Sequence, residues 1–261
     1  MSVWVRFSRA GQTGLGTLVS GTIHVHSGEL FGSPIPTGET VALADVTLRT
    51  PCDPSKFVGL VTNYREAAAK QGSAIPAEPL YFLKAPSSYL AHGQPIRLPS
   101  SYDGKVIYEG ELGIVIGREA RDVPEDEADR YVFGYTCVND VTALELLDRD
   151  PAFPQWTRAK SYDTFGVFGP GIATGLDPGA LRVRTLLKGK VRQDYACSDM
   201  IFGPRALVSR LSRDMTLLPG DLIACGTSLG IGVLRPGATV EVVIDGVGSL
   251  ANAVEGPVGG A

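Results

Sequence analysis

The chain has 261 residues, 44% of them hydrophobic and 20% charged, with 24 basic against 28 acidic side chains and a net charge of −4. That composition supports a sizeable core and excludes disorder over most of the length. The mild acidity lacks the basic footprint of a nucleic-acid binder, and no apolar run nears the ~20 residues of a membrane span. The first thirty residues lack an apolar signal core and are broken by Gly11, Gly14 and Gly16, so a cytoplasmic protein is expected.

Glycine and proline together supply 50 of the 261 residues, scattered between short apolar segments. Many turns between short strands follow, which predicts an α+β, β-dominated fold. Val3, Val5 and Phe7 alternate in a first strand, Gly32 to Gly38 reads as a loop, and Val41 to Val46 reads as a second strand. Pro51-Cys52-Asp53-Pro54 punctuates the chain there, dividing a small N-terminal β domain (1–52) from a larger one (53–261). Phe57 to Val61 is an apolar strand, Arg65 to Gln71 a helix that Gly72 ends, and Leu80 to Leu83 a further strand.

Val106 to Ile116 is the clearest strand in the sequence. A helix is expected from Pro124, with Glu125, Asp126 and Glu127 in its first turn, where the helix dipole favours acids. Tyr131 to Val138, Leu181 to Leu187, Leu222 to Cys225 and Val240 to Ile244 complete the strands, and Ala206 to Leu211 is a short helix. Gly166 to Gly171 reads as a turn between strands, and the tail after Glu255 as loose chain. The cysteines, Cys52, Cys137, Cys197 and Cys225, lie 85, 60 and 28 residues apart, which fits no zinc or redox pattern. They read as buried thiols without a chemical task.

The strand period of two places Glu109 and Glu111 on one face of Val106–Ile116, with Cα atoms about 6.5–7 Å apart. Tyr108, Leu112, Ile114 and Ile116 take the other face, and Gly110 leaves space between the acids. A bare Glu-x-Glu is usually a solvated strand face. These two acids sit in a strongly apolar run, however, where unpaired carboxylates are costly. A second strand, Tyr135-Thr136-Cys137-Val138, also runs into an acid, Asp140. Carboxylates about 4 Å apart repel by about 4 kcal/mol at an effective dielectric of 20. A divalent cation removes that penalty, and an all-oxygen donor set selects Mg²⁺ or Mn²⁺.

The sequence resembles the fumarylacetoacetate hydrolase superfamily over nearly all of residues 56–255. The resemblance is carried by Gly59-Leu60-Val61-Thr62-Asn63-Tyr64, Phe82-Leu83-Lys84-Ala85-Pro86, Tyr108-Glu109-Gly110-Glu111-Leu112 and Gly134-Tyr135-Thr136-Cys137-Val138-Asn139-Asp140-Val141. Arg158-Ala159-Lys160-Ser161-Tyr162-Asp163-Thr164-Phe165 and Gly220-Asp221-Leu222-Ile223-Ala224-Cys225-Gly226-Thr227 complete it, in the family's order. The resemblance implies a mixed β-roll, a homodimer, and Mg²⁺ or Mn²⁺ held by Glu109, Glu111 and Asp140. It also implies a catalytic lysine at Lys160 and substrate contacts from Thr227, Tyr64 and Arg65. Family substrates are small 2-oxo and β-diketo acids, often from aromatic catabolism. Cleavage, loss of CO₂ and tautomerisation of such acids all pass through an enolate, which a cation and an ammonium stabilise.

The chain departs from the family pattern where many relatives carry a water-activating His and Glu after the Asn-Tyr pair. Those positions are Ala67 and Lys70, and Leu144 and Leu147 replace a frequent Arg and Gln after the acidic ligand. Glu66 and His92 are weak substitutes for the lost base, while His24 and His26 lie in the N-terminal unit. A positioned base is worth roughly 10²–10⁴-fold to hydrolysis. Decarboxylation or isomerisation through a metal-bound enolate is therefore favoured. A C–C hydrolase of acylpyruvate type and a non-catalytic relative that binds a small acid are the alternatives.

Overall fold

The computed structural model describes residues 1–257, so the tail from residue 258 onward lies outside the described residues. Strands dominate, in agreement with the expected fold class. The N-terminal region forms β1 (Ser2–Arg9), β2 (Gln12–Val19), β3 (Thr22–Ser27) and β4 (Ile35–Ala42). These join by antiparallel pairing in chain order, through tight turns with Gly11 and Gly21 at positive φ. β5 (Phe57–Val61) leads into α1 (Arg65–Gln71), which Gly72 closes in the left-handed conformation. β6 (Leu80–Lys84), β7 (Val106–Tyr108), β8 (Gly110–Ile116) and β9 (Val132–Asp140) follow, then the short helix α2 (Trp156–Lys160). The remainder comprises β10 (Gly166–Thr174), β11 (Arg182–Leu187), β12 (Lys190–Ala196), α3 (Pro204–Asp214), β13 (Leu222–Ala224), β14 (Thr239–Ile244) and β15 (Gly248–Glu255).

Ten of these strands make one long mixed sheet in the order β4-β3-β2-β1-β10-β9-β8-β13-β5-β6. β1 pairs with β10 from Ser2↔Thr174 to Trp4↔Ile172, so the N-terminal strands run on into the main sheet. A second sheet, β12-β11-β14-β15, ends on the short strand Ile96–Arg97. The core lies between the two sheets: Leu112, Ile114 and Ile116 of β8 pack in one cluster with Val183, Val240, Val242 and Ile244. The other face of β8 gives Val115 to a separate cluster with Phe57, Val138, Phe168 and Leu222. All seven residues of β8 are buried, as befits a central strand covered on both sides.

Several expectations are corrected. The apolar run Val106–Ile116 is two strands in two sheets: β7 pairs with Thr142–Ala143 and Gly232–Val233, while β8 belongs to the long sheet. Glu109 sits at the break. Gly166 to Gly171 is no turn but most of the central strand β10. Its proline is accommodated where the β9–β10 register shifts, a setting that spares a ladder hydrogen bond. Glu125–Tyr131 winds as a 3₁₀ helix and not an α-helix. The predicted strand Val41–Val46 is the end of β4 followed by a 3₁₀ turn over Leu43–Asp45. α3 extends well past Ala206–Leu211 at both ends, with Pro204 in its first turn.

Candidate metal centre

Where β7 hands over to β8, the backbone leaves one sheet and enters another, and Glu109 occupies the linking residue. Its N–H donates to Asn139 Oδ1 at 3.1 Å, and its carbonyl accepts from the Asp140 N–H at 2.9 Å. Those bonds tie the break to the end of β9 and set Asp140 beside it. Glu111 is the second residue of β8, paired with Val138. One carboxylate oxygen from each of Glu109, Glu111 and Asp140 lies within 4.8 Å of the others. Glu111 and Asp140 are fully buried and Glu109 is partly so. The glutamates thus converge, yet through a break between sheets and not through one strand's alternation.

Two lysines face this cluster. Lys160, the last residue of α2, places its Nζ 2.6 Å from Glu109 Oε2 and 2.6 Å from Asp140 Oδ2. Its ammonium also lies 4.8 Å from the centre of the Phe82 ring, which stacks on Trp156 at 5.6 Å. Trp156 therefore packs, and the face it packs supports the lysine. Lys84, the last residue of β6, donates to Asp140 Oδ1 and, at 3.2 Å, to the carbonyl of Val141. The Lys84 side chain is wholly buried. Lys84 lies in one of the stretches that carry the family resemblance, with no role expected for it from the sequence. The signal available was a lysine in the strand Leu80-Tyr81-Phe82-Leu83, where an unpaired charge is unaffordable.

The charges polarise one another. Burial pushes the Glu111 carboxyl well above the usual range, and Asp140 and Glu109 push it further. Glu109 is also raised, by burial first, with Lys160 pulling the other way. Burial would raise Asp140 too, but Lys160 and Lys84 outweigh it and hold the carboxyl below its usual value. Burial lowers Lys84, whereas Asp140 and Glu109 overcome that effect at Lys160 and raise it.

Glu111 is the decisive residue. Its Oε2 accepts the Gly226 N–H at 2.8 Å, while its Oε1 is buried with no partner among the described residues. A buried carboxylate oxygen without a donor is costly. A carboxylate with a free oxygen, in a cluster of three acids whose oxygens approach within 4.8 Å, fits a hard divalent cation. With all three acids ionised, as a bound cation requires, the two ammonium groups leave the site one negative charge in excess.

The remaining sequence-chosen residues fall as follows. Thr227 Oγ1 donates to Gly110 O at 2.9 Å and accepts from Gln193 Nε2 at 2.8 Å, so its one proton is committed inside the protein. Tyr64 caps α1 and is fully buried, its ring edge-on to Tyr195 at 4.8 Å. Arg65 is exposed at the first position of α1 and is not brought into the carboxylate cluster. Ala67 is buried under that helix, and Lys70 is exposed on it. Glu66 is exposed, with its N–H on Asp199 Oδ2 at 3.0 Å. His92 accepts the Ala251 N–H at 3.1 Å on the second sheet, and His26 stacks edge-on to Trp4 at 4.8 Å. Leu144 and Leu147 sit partly buried around the 3₁₀ turn Leu144–Leu146. All four cysteines are buried and free.

The chain is similar to known proteins over most of its length. The family model described as fumarylacetoacetate (FAA) hydrolase C-terminal covers residues 56–255. The chain belongs to the fumarylacetoacetate hydrolase family. A second model, Rv2993c-like N-terminal, covers residues 4–51. Among its relatives in that family, the chain is 44% identical over 227 residues to protein Rv2993c of Mycobacterium tuberculosis, covering 86% of this chain and 84% of that one. It is 37% identical over 227 residues to the oxaloacetate tautomerase YisK of Bacillus subtilis, covering 82% and 74% respectively. A crystal structure of a 2-hydroxyhepta-2,4-diene-1,7-dioate isomerase from Mycobacterium marinum superposes over 100% of both chains, with a TM-score of 0.90 and 38% identity. The family includes enzymes named as isomerases and tautomerases.

Proposed function

We propose that this chain is a divalent-cation-dependent enzyme that isomerises or decarboxylates a small 2-oxo acid. The observation that carries the reading is the convergence of Glu109, Glu111 and Asp140, each with a carboxylate oxygen within 4.8 Å of the others, joined to a buried Glu111 Oε1 that has no hydrogen-bond partner among the described residues. Glu109, Glu111 and Asp140 would hold Mg²⁺ or Mn²⁺, which supplies a Lewis acid for the substrate's keto oxygen. With a divalent charge added, the excess of one negative charge becomes one positive, matched to a singly charged carboxylate substrate. Lys160 presents an ammonium beside the cluster, on Glu109 and Asp140, suited to negative charge developing on the substrate oxygen. Lys84 holds Asp140 from the buried side, so that carboxylate cannot swing away when Lys160 turns to a substrate.

Arg65 is the exposed cation next to Tyr64, one ring away from Tyr195, and would meet the outer end of a substrate. Thr227 would accept a hydrogen bond from the substrate but has no proton to give it. At Ala67 no side chain can hold a proton, so the position that activates water in many relatives is silent. That favours proton shifts and loss of CO₂, which mainly need a place for charge, over hydrolysis. Turnover of a panel of 2-oxo acids in ¹⁸O-labelled water tests the choice. Isomer or CO₂ without label in a new carboxylate supports it; labelled carboxylate would establish the C–C hydrolase instead. A cytoplasmic homodimer goes with this reading, and light scattering on purified protein checks the assembly.

A further inference from the structure

Gly110, between the two glutamates, is held at both its N–H and its C=O, chiefly from the second sheet. Gly110 N–H donates to Gln193 Oε1 at 3.0 Å, and Gly110 O accepts from Tyr195 Oη at 2.5 Å and Thr227 Oγ1 at 2.9 Å. Gln193 Nε2 in turn reaches Thr227 Oγ1 at 2.8 Å, Ser228 O at 3.2 Å and Leu229 O at 3.4 Å. Gln193 and Tyr195 are both buried on β12, whereas Val191 of the same strand is 56% exposed. A strand that buries a glutamine and leaves a valine in water is not arranged for apolar burial. Gly110 completes the fit: a Cβ there would collide with Thr185 Oγ1 of β11, so only glycine lets the second sheet come this close.

We propose that Gln193 and Tyr195 are positioning residues that set the spacing of Glu109 and Glu111 by fixing the N–H and the C=O of Gly110, and so the peptide group on each side of it. Glu109 lies at a break between sheets, bonded on one side to Asn139 and Asp140, and Gly110, the first residue of the strand after it, joins it to Glu111. Rotation about Gly110 would turn one carboxylate away from the other. Neither Gln193 nor Tyr195 touches the carboxylates in a hydrogen bond, so both act through Gly110. Thr227 belongs to the same clamp, which explains why its proton points inward. The inference rests on the reading of the three acids as a cation site.

The experiment is calorimetric titration of Mn²⁺ alone into metal-stripped full-length protein, beside thermal unfolding of each variant. Tyr195→Phe removes one oxygen, and Gln193→Met removes the amide at similar volume. Asn252→Met is the control, because buried Asn252 makes two hydrogen bonds in the same sheet, to Ala91 O and Gln94 O, and none to Gly110. Changing residues that orient metal ligands typically costs about 10–100-fold in affinity. A loss of about tenfold or more is therefore expected in Tyr195→Phe and Gln193→Met, with Asn252→Met binding Mn²⁺ as the wild type does even where it melts earlier. Should Gln193→Met fail to fold, Tyr195→Phe decides alone. Variants that bind as tightly as wild type would overturn the clamp and leave the cation site standing. A wild type that takes up no Mn²⁺ would overturn both.

Discussion

At the residue scale the site is governed by Glu111. Its carboxyl is held well above the usual range, chiefly by burial and then by Asp140 and Glu109. A cation must displace the proton that this raised value retains, so Mn²⁺ affinity should rise with pH through the Glu111 titration. Calorimetry in mildly acidic and mildly alkaline buffer checks the sign; tighter binding in acid would contradict it. Replacing Asp140 by Asn should abolish cation binding and turnover, since Lys84 and Lys160 would then face a neutral amide. Far-ultraviolet circular dichroism should show the strands intact. Gly110→Ala should destabilise by about 1–3 kcal/mol, the usual range for overpacking, because Thr185 fills the space. Chemical denaturation measures that directly.

At the scale of elements, β8 is the structural centre: its seven residues are buried on both faces. Leu112→Ala should cost about 2–5 kcal/mol through lost burial and a cavity, read from denaturant unfolding. At α1, Arg65→Ala should raise KM about fivefold with little change in kcat, as an exposed charge pair is worth about 1 kcal/mol at most. Steady-state kinetics separate the two constants. Strands with a pure apolar run, such as Phe57–Val61, were legible in the sequence to the residue, and so was the α1 stop at Gly72. β12 was not legible, because Lys190-Val191-Arg192-Gln193-Asp194-Tyr195 alternates polar residues on both faces and buries a glutamine. β10 was hidden by Gly166, Gly169, Pro170 and Gly171, which read locally as a turn and are overruled by pairing with β1 and β9. The three acids could be chosen from burial cost together with the family resemblance. Lys84 was signalled only as a strand lysine in need of a partner, and the bonds of Gln193 and Tyr195 to Gly110 were not legible, since they exist only where the second sheet meets β8.

At the scale of the whole molecule, the candidate centre lies where three sheets adjoin. β7 brings the small sheet, β8 and β9 the long one, and β12 the second sheet that covers Gly110. Such a seam is a natural place for charged groups, because backbone breaks there leave side chains to satisfy one another. Bound cation should tie the sheets together: at free Mn²⁺ about 100 times the Kd, unfolding should cost about 2.7 kcal/mol more. The Glu111→Gln variant should lose that gain in a thermal shift assay.

The most direct test follows deuterium exchange by NMR at the methylene beside the keto group of 2-oxobutanoate, a singly charged 2-oxo acid, with Mg²⁺ in heavy water. Exchange reports the enolate step itself, whatever product the natural substrate gives. The wild type should exchange these protons catalytically, and chelation of Mg²⁺ or the Glu111→Gln change should return the rate to that of buffer. Exchange that persists unchanged in both would contradict a cation held by Glu109, Glu111 and Asp140.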